Sequence, residues 1–191
     1  MGHASPVDWM QQRSSGRDED GSADPIGLLS PDQLQAAIAG HLGHHRRSPL
    51  IRWARELGDL HATLLTSSLD PLRRPADFDE AVLRRRVREV VGEIDSWAVF
   101  VLPRPTVGAR KHTHTLGEVV SHLATAYVDA WWTVLHTSDE QLRHEAWFHL
   151  GQLHEGYACL LDDLHARRVE LPLGWPRHQP HTLTRRSNEE Y

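Results

Sequence analysis

Between residues 30 and 172 apolar positions recur every three or four residues, and five such stretches open on helix-start signals. Ser30-Pro31-Asp32-Gln33 is a capping box with proline at the first helical position. It predicts a short helix through Leu34 and Ile38, ending near Gly43. Ser48-Pro49 repeats the signal before Leu50, Trp53, Leu57, Leu60 and Leu64. A third helix starts at Asp77, carries Leu83, Val87, Val90, Ile94, Trp97 and Val101, and stops at Pro103. Thr115 with Glu118 caps a fourth, with Leu116, Val120, Leu123, Tyr127, Ala130 and Val134 facing inward. Ser138 caps the fifth, which runs through Leu142, Ala146, Leu150, Leu153, Tyr157, Leu160 and Leu164 to about Arg168. Four long helices with moderate connections predict an all-α fold, an antiparallel four-helix bundle with one short additional N-terminal helix. No run alternates with period two, and no glycine-rich nucleotide loop or G-x-S-x-G is present.

The pattern divides the chain into a polar, Ser/Gly/Asp-rich tail over 1–29, the helical domain over 30–172 and an extended arm over 173–191, where Pro176 and Pro180 exclude a helix. Composition narrows the function classes. A net charge of −5 gives no electrostatic reason to expect nucleic acid or an anionic membrane as partner. No apolar run approaches the roughly 18 residues of a membrane span. Cys159 is the single cysteine, which rules out an intramolecular disulfide and fits a reducing compartment. With no apolar leader in the first 25 residues, the expected location is the cytoplasm.

Fifteen histidines raise the question of metal. The Glu-x-x-His pattern of di-metal bundles is absent, and Glu118/His122, Glu140/His144 and Glu145/His149 have the spacing of ordinary one-turn pairs. His112-Thr113-His114 points two imidazoles the same way if extended, so His112, His114, Glu118 and His122 form an alternative metal set. No cofactor is otherwise expected. The second chemical candidate consists of polar groups on apolar stripes: Asp95 between Val91 and Ala98, and His61 between Leu57 and Leu64. A carboxylate placed there needs a partner, and His61, a loop histidine at 112–114 or the Tyr157 hydroxyl could supply it. Read as chemistry, His61, Asp95 and His112 form an acid–base group with Thr113, Thr115 and Tyr157 as ligand contacts. Read as structure, the same residues form a satisfied polar link pinning a loop to the helices. Trp131-Trp132 must place one ring inward and one outward, and an outward tryptophan suits a helix-to-helix dimer face.

Over roughly residues 34–172 the chain resembles the actinobacterial branch of the domain of unknown function numbered 4254. The resemblance rests on Leu57-x-x-Leu60-His61, Ile94-Asp95-x-Trp97 through Leu102-Pro103, Gly156-Tyr157 before Leu171-Pro172, and His112-Thr113-His114-Thr115-Leu116-Gly117-Glu118-Val119-Val120. It implies no activity. It does single out His61, Asp95, Trp97, His112, Thr113, Thr115 and Gly117, where this chain carries the family's residues. His114 and His122 stand where the family typically has Glu and Arg, which disfavours the metal set. The most economical reading is a non-catalytic helical accessory protein that binds a partner or a second copy of itself. The alternatives are a small-molecule-binding or biosynthetic enzyme with a pocket at the 112–115 loop, and a His-rich metal-binding protein.

Overall fold

The computed structural model describes residues 26–42, 48–70, 74 and 78–172. Most of the 1–29 tail, the 173–191 arm and the predicted end of the first helix near Gly43 therefore lie outside the described residues. Among the described residues five helices follow one another: α1 (Pro31–Ile38), α2 (Pro49–Leu69), α3 (Glu80–Val101), α4 (Leu116–His136) and α5 (Glu140–His165). Two short strands, β1 (Arg110–Lys111) and β2 (Val169–Glu170), pair in parallel, Arg110 opposite Val169. The fold is mostly helical, as the periodicity predicts.

Local chemistry accounts for most helix ends. The Ser30 hydroxyl accepts from the Gln33 amide while the Gln33 side chain accepts from the Ser30 amide, so the capping box forms as expected. Asp79 caps α3, accepting from the amides of Ala81 and Val82 at 2.9 and 3.1 Å, while the expected start at Asp77 lies outside the described residues. Asp139, not Ser138, caps α5 through Gln141 and Leu142. Ser48 precedes Pro49 but caps nothing; its hydroxyl donates to the Gly27 carbonyl at 2.9 Å. α5 ends at His165, with Arg167 in the left-handed region at φ 58° turning the chain into β2.

The core draws on every helix: Leu34 from α1, Leu50 and Leu57 from α2, Val90 and Ile94 from α3, Leu116 and Val120 from α4, Tyr157 from α5. It also includes Leu28 and Leu29, which corrects the tail boundary at 29. Two apolar side chains and a buried hydrogen bond, Tyr157 hydroxyl to Leu29 carbonyl at 3.0 Å, fix this stretch before the first helix.

α4 lies at the centre, making close backbone approaches to α1, α2, α3 and α5, while α5 approaches α4, α1 and β2 but not α2 or α3. Cross-links set the register. Trp53 donates to Glu93 at 2.7 Å, and Arg86 reaches Glu56 at 2.6 Å and Glu93 at 3.1 Å, joining α2 to α3. α1 crosses α2 where Gly58 admits it, since a Cβ there would lie 2.6 Å from the Ile38 carbonyl oxygen. β1 and β2 tie the 102–115 connection to the end of α5. Asp163 holds both Arg110 and Arg168, at 2.6 and 2.8 Å. Among the described residues, no helix is long and apolar enough to cross a membrane.

Candidate functional site at the start of α4

The first turn of a helix has amide groups without intrahelical partners. In α4, Thr115 and Glu118 satisfy two of them reciprocally: the Thr115 hydroxyl accepts from the Glu118 amide at 3.1 Å and Glu118 accepts from the Thr115 amide at 2.8 Å. Asp95, from α3, supplies a third partner by accepting from the Gly117 amide at 2.8 Å, and it also takes a hydrogen bond from the Thr115 hydroxyl. This close approach depends on Gly117. A Cβ there would sit on the Val91 carbonyl oxygen and 2.9 Å from Asp95 Oδ1. Burial pushes the Asp95 carboxyl above its ordinary value, against the hydrogen bonds from Gly117 and Thr115, with the Glu118 charge adding to the rise.

One turn further along, the His61 ring from α2 lies between two hydroxyls of α4. Nε2 is 3.0 Å from Ser121 Oγ, and Nδ1 is 3.3 Å from Thr125 Oγ1. Thr125 spends its proton on the Ser121 carbonyl at 2.9 Å. Nδ1 must therefore carry the hydrogen it shares with Thr125, which leaves Nε2 to accept from Ser121. Burial, then the charges of Arg84 and His122, lower the pKa of His61 below its ordinary 6.5, so the ring stays neutral. A folded-state pKa below the unfolded one means no penalty above pH 6.5 and a growing one as pH falls, because the unfolded chain takes up the proton first. Urea denaturation from pH 7 to 5 should show His61→Gln losing less stability than the parent chain over that window. Equal losses would mean His61 does not set the acid-side slope.

The 112–114 loop leans on the same region without closing on Asp95. His112 Nδ1 turns back onto the carbonyl oxygen of His114 at 2.8 Å, and its amide donates to Glu170 at 2.9 Å. Thr113 is exposed, with its hydroxyl 3.0 Å from His114 Nδ1. The His114 ring lies edge-on to His122, with centroids 5.3 Å apart. Between α3 and α4, a surface cleft of about 220 Å³ is lined by Val87, Arg88, Val91, Glu118, Ser121 and His122.

Several expectations are thereby corrected. Asp95 is hydrogen-bonded to neither His61 nor His112; its partners are a backbone amide and the capping threonine. His61 belongs to a separate Ser121–Thr125 link. Tyr157 lies elsewhere, sealed against Leu34, Leu123 and Leu150 with its hydroxyl on Leu29. Among the described residues, no three His, Cys, Asp or Glu side chains are grouped to hold a metal ion, so His112, His114, Glu118 and His122 do not form a ligand set. Ser121, Thr125 and Arg88 escaped the sequence reading. Gly117, Ser121 and Thr125, spaced by four, form a small-residue stripe on an otherwise apolar helix, and that was the signal that could have revealed them. Compared with protein-family models, with curated proteins and with solved structures, the chain finds no match.

Proposed function

We propose that this is a non-catalytic helical accessory protein, its four long helices running up and down in turn around a central α4, that pairs with a second copy of itself through one end. The antiparallel course is supported by paired contacts, Trp53 to Glu93 with Glu56 to Arg86 between α2 and α3, and Asp95 to Gly117 with Val87 beside Ser121 between α3 and α4. The polar groups at the start of α4 support a structural role, since Asp95 and His61 are each committed to hydrogen bonds that fix helix register. We further propose kinship with the domain family numbered 4254. In its favour, Asp95, Thr115 and Gly117 from two separate stretches of the motif meet at one junction.

The observation that carries the association is a group of exposed apolar side chains at one end of the helices. Leu69 at the end of α2, Val82 at the start of α3, Trp131 and Leu135 near the end of α4, and Leu142 at the start of α5 are 48–60% exposed. All lie beyond the last cross-link, toward the 70–79 and 137–139 connections. Only a small satellite core of Ala126, Ala130 and Leu150 backs this half of the α4–α5 pair. Trp131 is the outward ring of its pair, while Trp132 stacks on His136 at 3.6 Å. Five half-exposed apolar side chains offer roughly 400 Å² per copy. A twofold pairing with its polar rim then reaches the roughly 1,200 Å² of a small stable interface. The rim carries both signs, Glu80, Asp139 and Glu140 with Arg84 and Arg143, as a self-complementary surface requires.

Analytical ultracentrifugation should show a concentration-dependent dimer. Trp131→Glu with Leu135→Glu should weaken it at least tenfold while helicity by circular dichroism stays unchanged. Phe100→Glu, at the opposite end of α3, should leave it intact. A strict monomer at high concentration, or equal loss from Phe100→Glu, would overturn the reading.

A further inference from the structure

The α3–α4 cleft carries two opposite charges that do not meet. Arg88 and Glu118 both line it without forming an ion pair with each other, although the neighbouring arginines of α3 are tied down, Arg84 to Glu80 and Arg86 to Glu56 and Glu93. Among the described residues Arg88 has neither a hydrogen bond nor an ion pair, so all five guanidinium donors are uncommitted. Such a fork matches a carboxylate or a phosphate, and Glu118 in the same cleft disfavours the more highly charged phosphate.

On the opposite wall Glu118 and Ser121 offer acceptors beside the His122 ring. One carboxylate oxygen of Glu118 is held by the Thr115 amide, leaving the other available. Ser121 has its proton committed to His61, because Thr125 spends its own on the Ser121 carbonyl. Its oxygen therefore offers the cleft lone pairs, not a hydrogen. Val87 and Val91 form an apolar floor between the two walls. The cleft, about 220 Å³ and open to solvent, has room for a small metabolite rather than a cofactor-sized ligand.

We propose that this cleft binds a small aliphatic α-amino acid, its carboxylate on Arg88, its ammonium between Glu118 and Ser121, and its side chain on Val87 and Val91. A simple carboxylate would leave Glu118 without a counter-charge, and a simple amine would leave Arg88 without one. Both side chains are exposed, so water satisfies either alone; a zwitterion is the small ligand that pairs with both at once. The site is independent of the association surface, so either can fail without the other.

Isothermal titration of the full chain at neutral pH against each of the twenty standard amino acids tests it, followed by the deaminated acid and decarboxylated amine of any that binds. A small aliphatic amino acid should bind one to one with a Kd below about 1 mM. Both truncated analogues should bind at least tenfold more weakly. Arg88→Gln and Glu118→Gln should each cost at least tenfold, the second retaining the capping box because glutamine can also accept from the Thr115 amide. The exposed neighbour Arg85→Gln should change nothing. Three results would overturn the proposal: no saturable binding by any of the twenty, equal binding of a truncated analogue, or binding unaffected by Arg88→Gln in a protein whose circular dichroism matches the parent.

Discussion

Gly117→Ala is expected to lower the unfolding free energy by about 3 kcal/mol and the melting temperature by roughly 6–12 °C. The cause is the unusual closeness of α4 to α3. The added methyl would overlap the Val91 carbonyl oxygen and lie 2.9 Å from Asp95 Oδ1. The Val91 oxygen belongs to helix backbone and has no rotamer by which to retreat, so the two helices must separate. Separation stretches the Gly117 to Asp95 hydrogen bond, now 2.8 Å, and loosens the buried neighbours Ile94, Leu116 and Val120. Alanine ordinarily stabilises a helix by up to about 1 kcal/mol over glycine. Thermal and urea unfolding would therefore give opposite signs for the two views, and a stabilised variant would show that the helices can part without cost.

Asp95→Ala is expected to cost about 2 kcal/mol, the next largest effect. It removes the acceptor from the Gly117 amide and the Thr115 hydroxyl at once, leaving a half-buried helix start with donors unmatched. Asp95→Asn separates charge from hydrogen bonding, because its amide oxygen can still accept. Burial raises the Asp95 carboxyl above 3.8, so below that pH both states hold the proton and no penalty exists. As pH rises past 3.8 the unfolded chain releases the proton first, and stability falls until the folded carboxyl also ionises. The asparagine variant should escape that decline, and at neutral pH should unfold at a urea midpoint no lower than the parent's. A midpoint as low as that of Asp95→Ala would mean the charge itself, acting on the end of α4, outweighs its desolvation.

What the sequence made legible was local. The capping boxes at Ser30 and Thr115 formed because all partners lie within one turn. Asp139 took the cap of α5 one position after Ser138, the usual play when neighbouring capping residues compete, and Asp79 caps α3. Leu28 and Leu29 were unreadable because two leucines carry no period. The β1–β2 pair was equally silent, being two residues per strand and joined across the whole length of α4 and α5. At the site, His61, Asp95 and Thr115 were found as polar interruptions of apolar stripes. Their partners were not, since pairing depends on how each helix is rotated about its axis. A few tens of degrees decide whether His61 meets Asp95 or the Ser121 and Thr125 hydroxyls.

The short parallel ladder has a mechanical consequence. Its bonds, Thr106 to Arg167 at 3.0 Å, Arg110 to Arg168 at 3.0 Å and His112 to Glu170 at 2.9 Å, join stretches some sixty positions apart and can close only after α4 and α5 have folded back. Such a latch forms late and opens early, without disturbing the helices it spans. The bond nearest Pro172 is His112 to Glu170, so displacement of the chain there is felt first at His112, three residues before the cap of α4. The chain after α5 thus holds a handle on the helix start where Asp95, Thr115 and Gly117 meet.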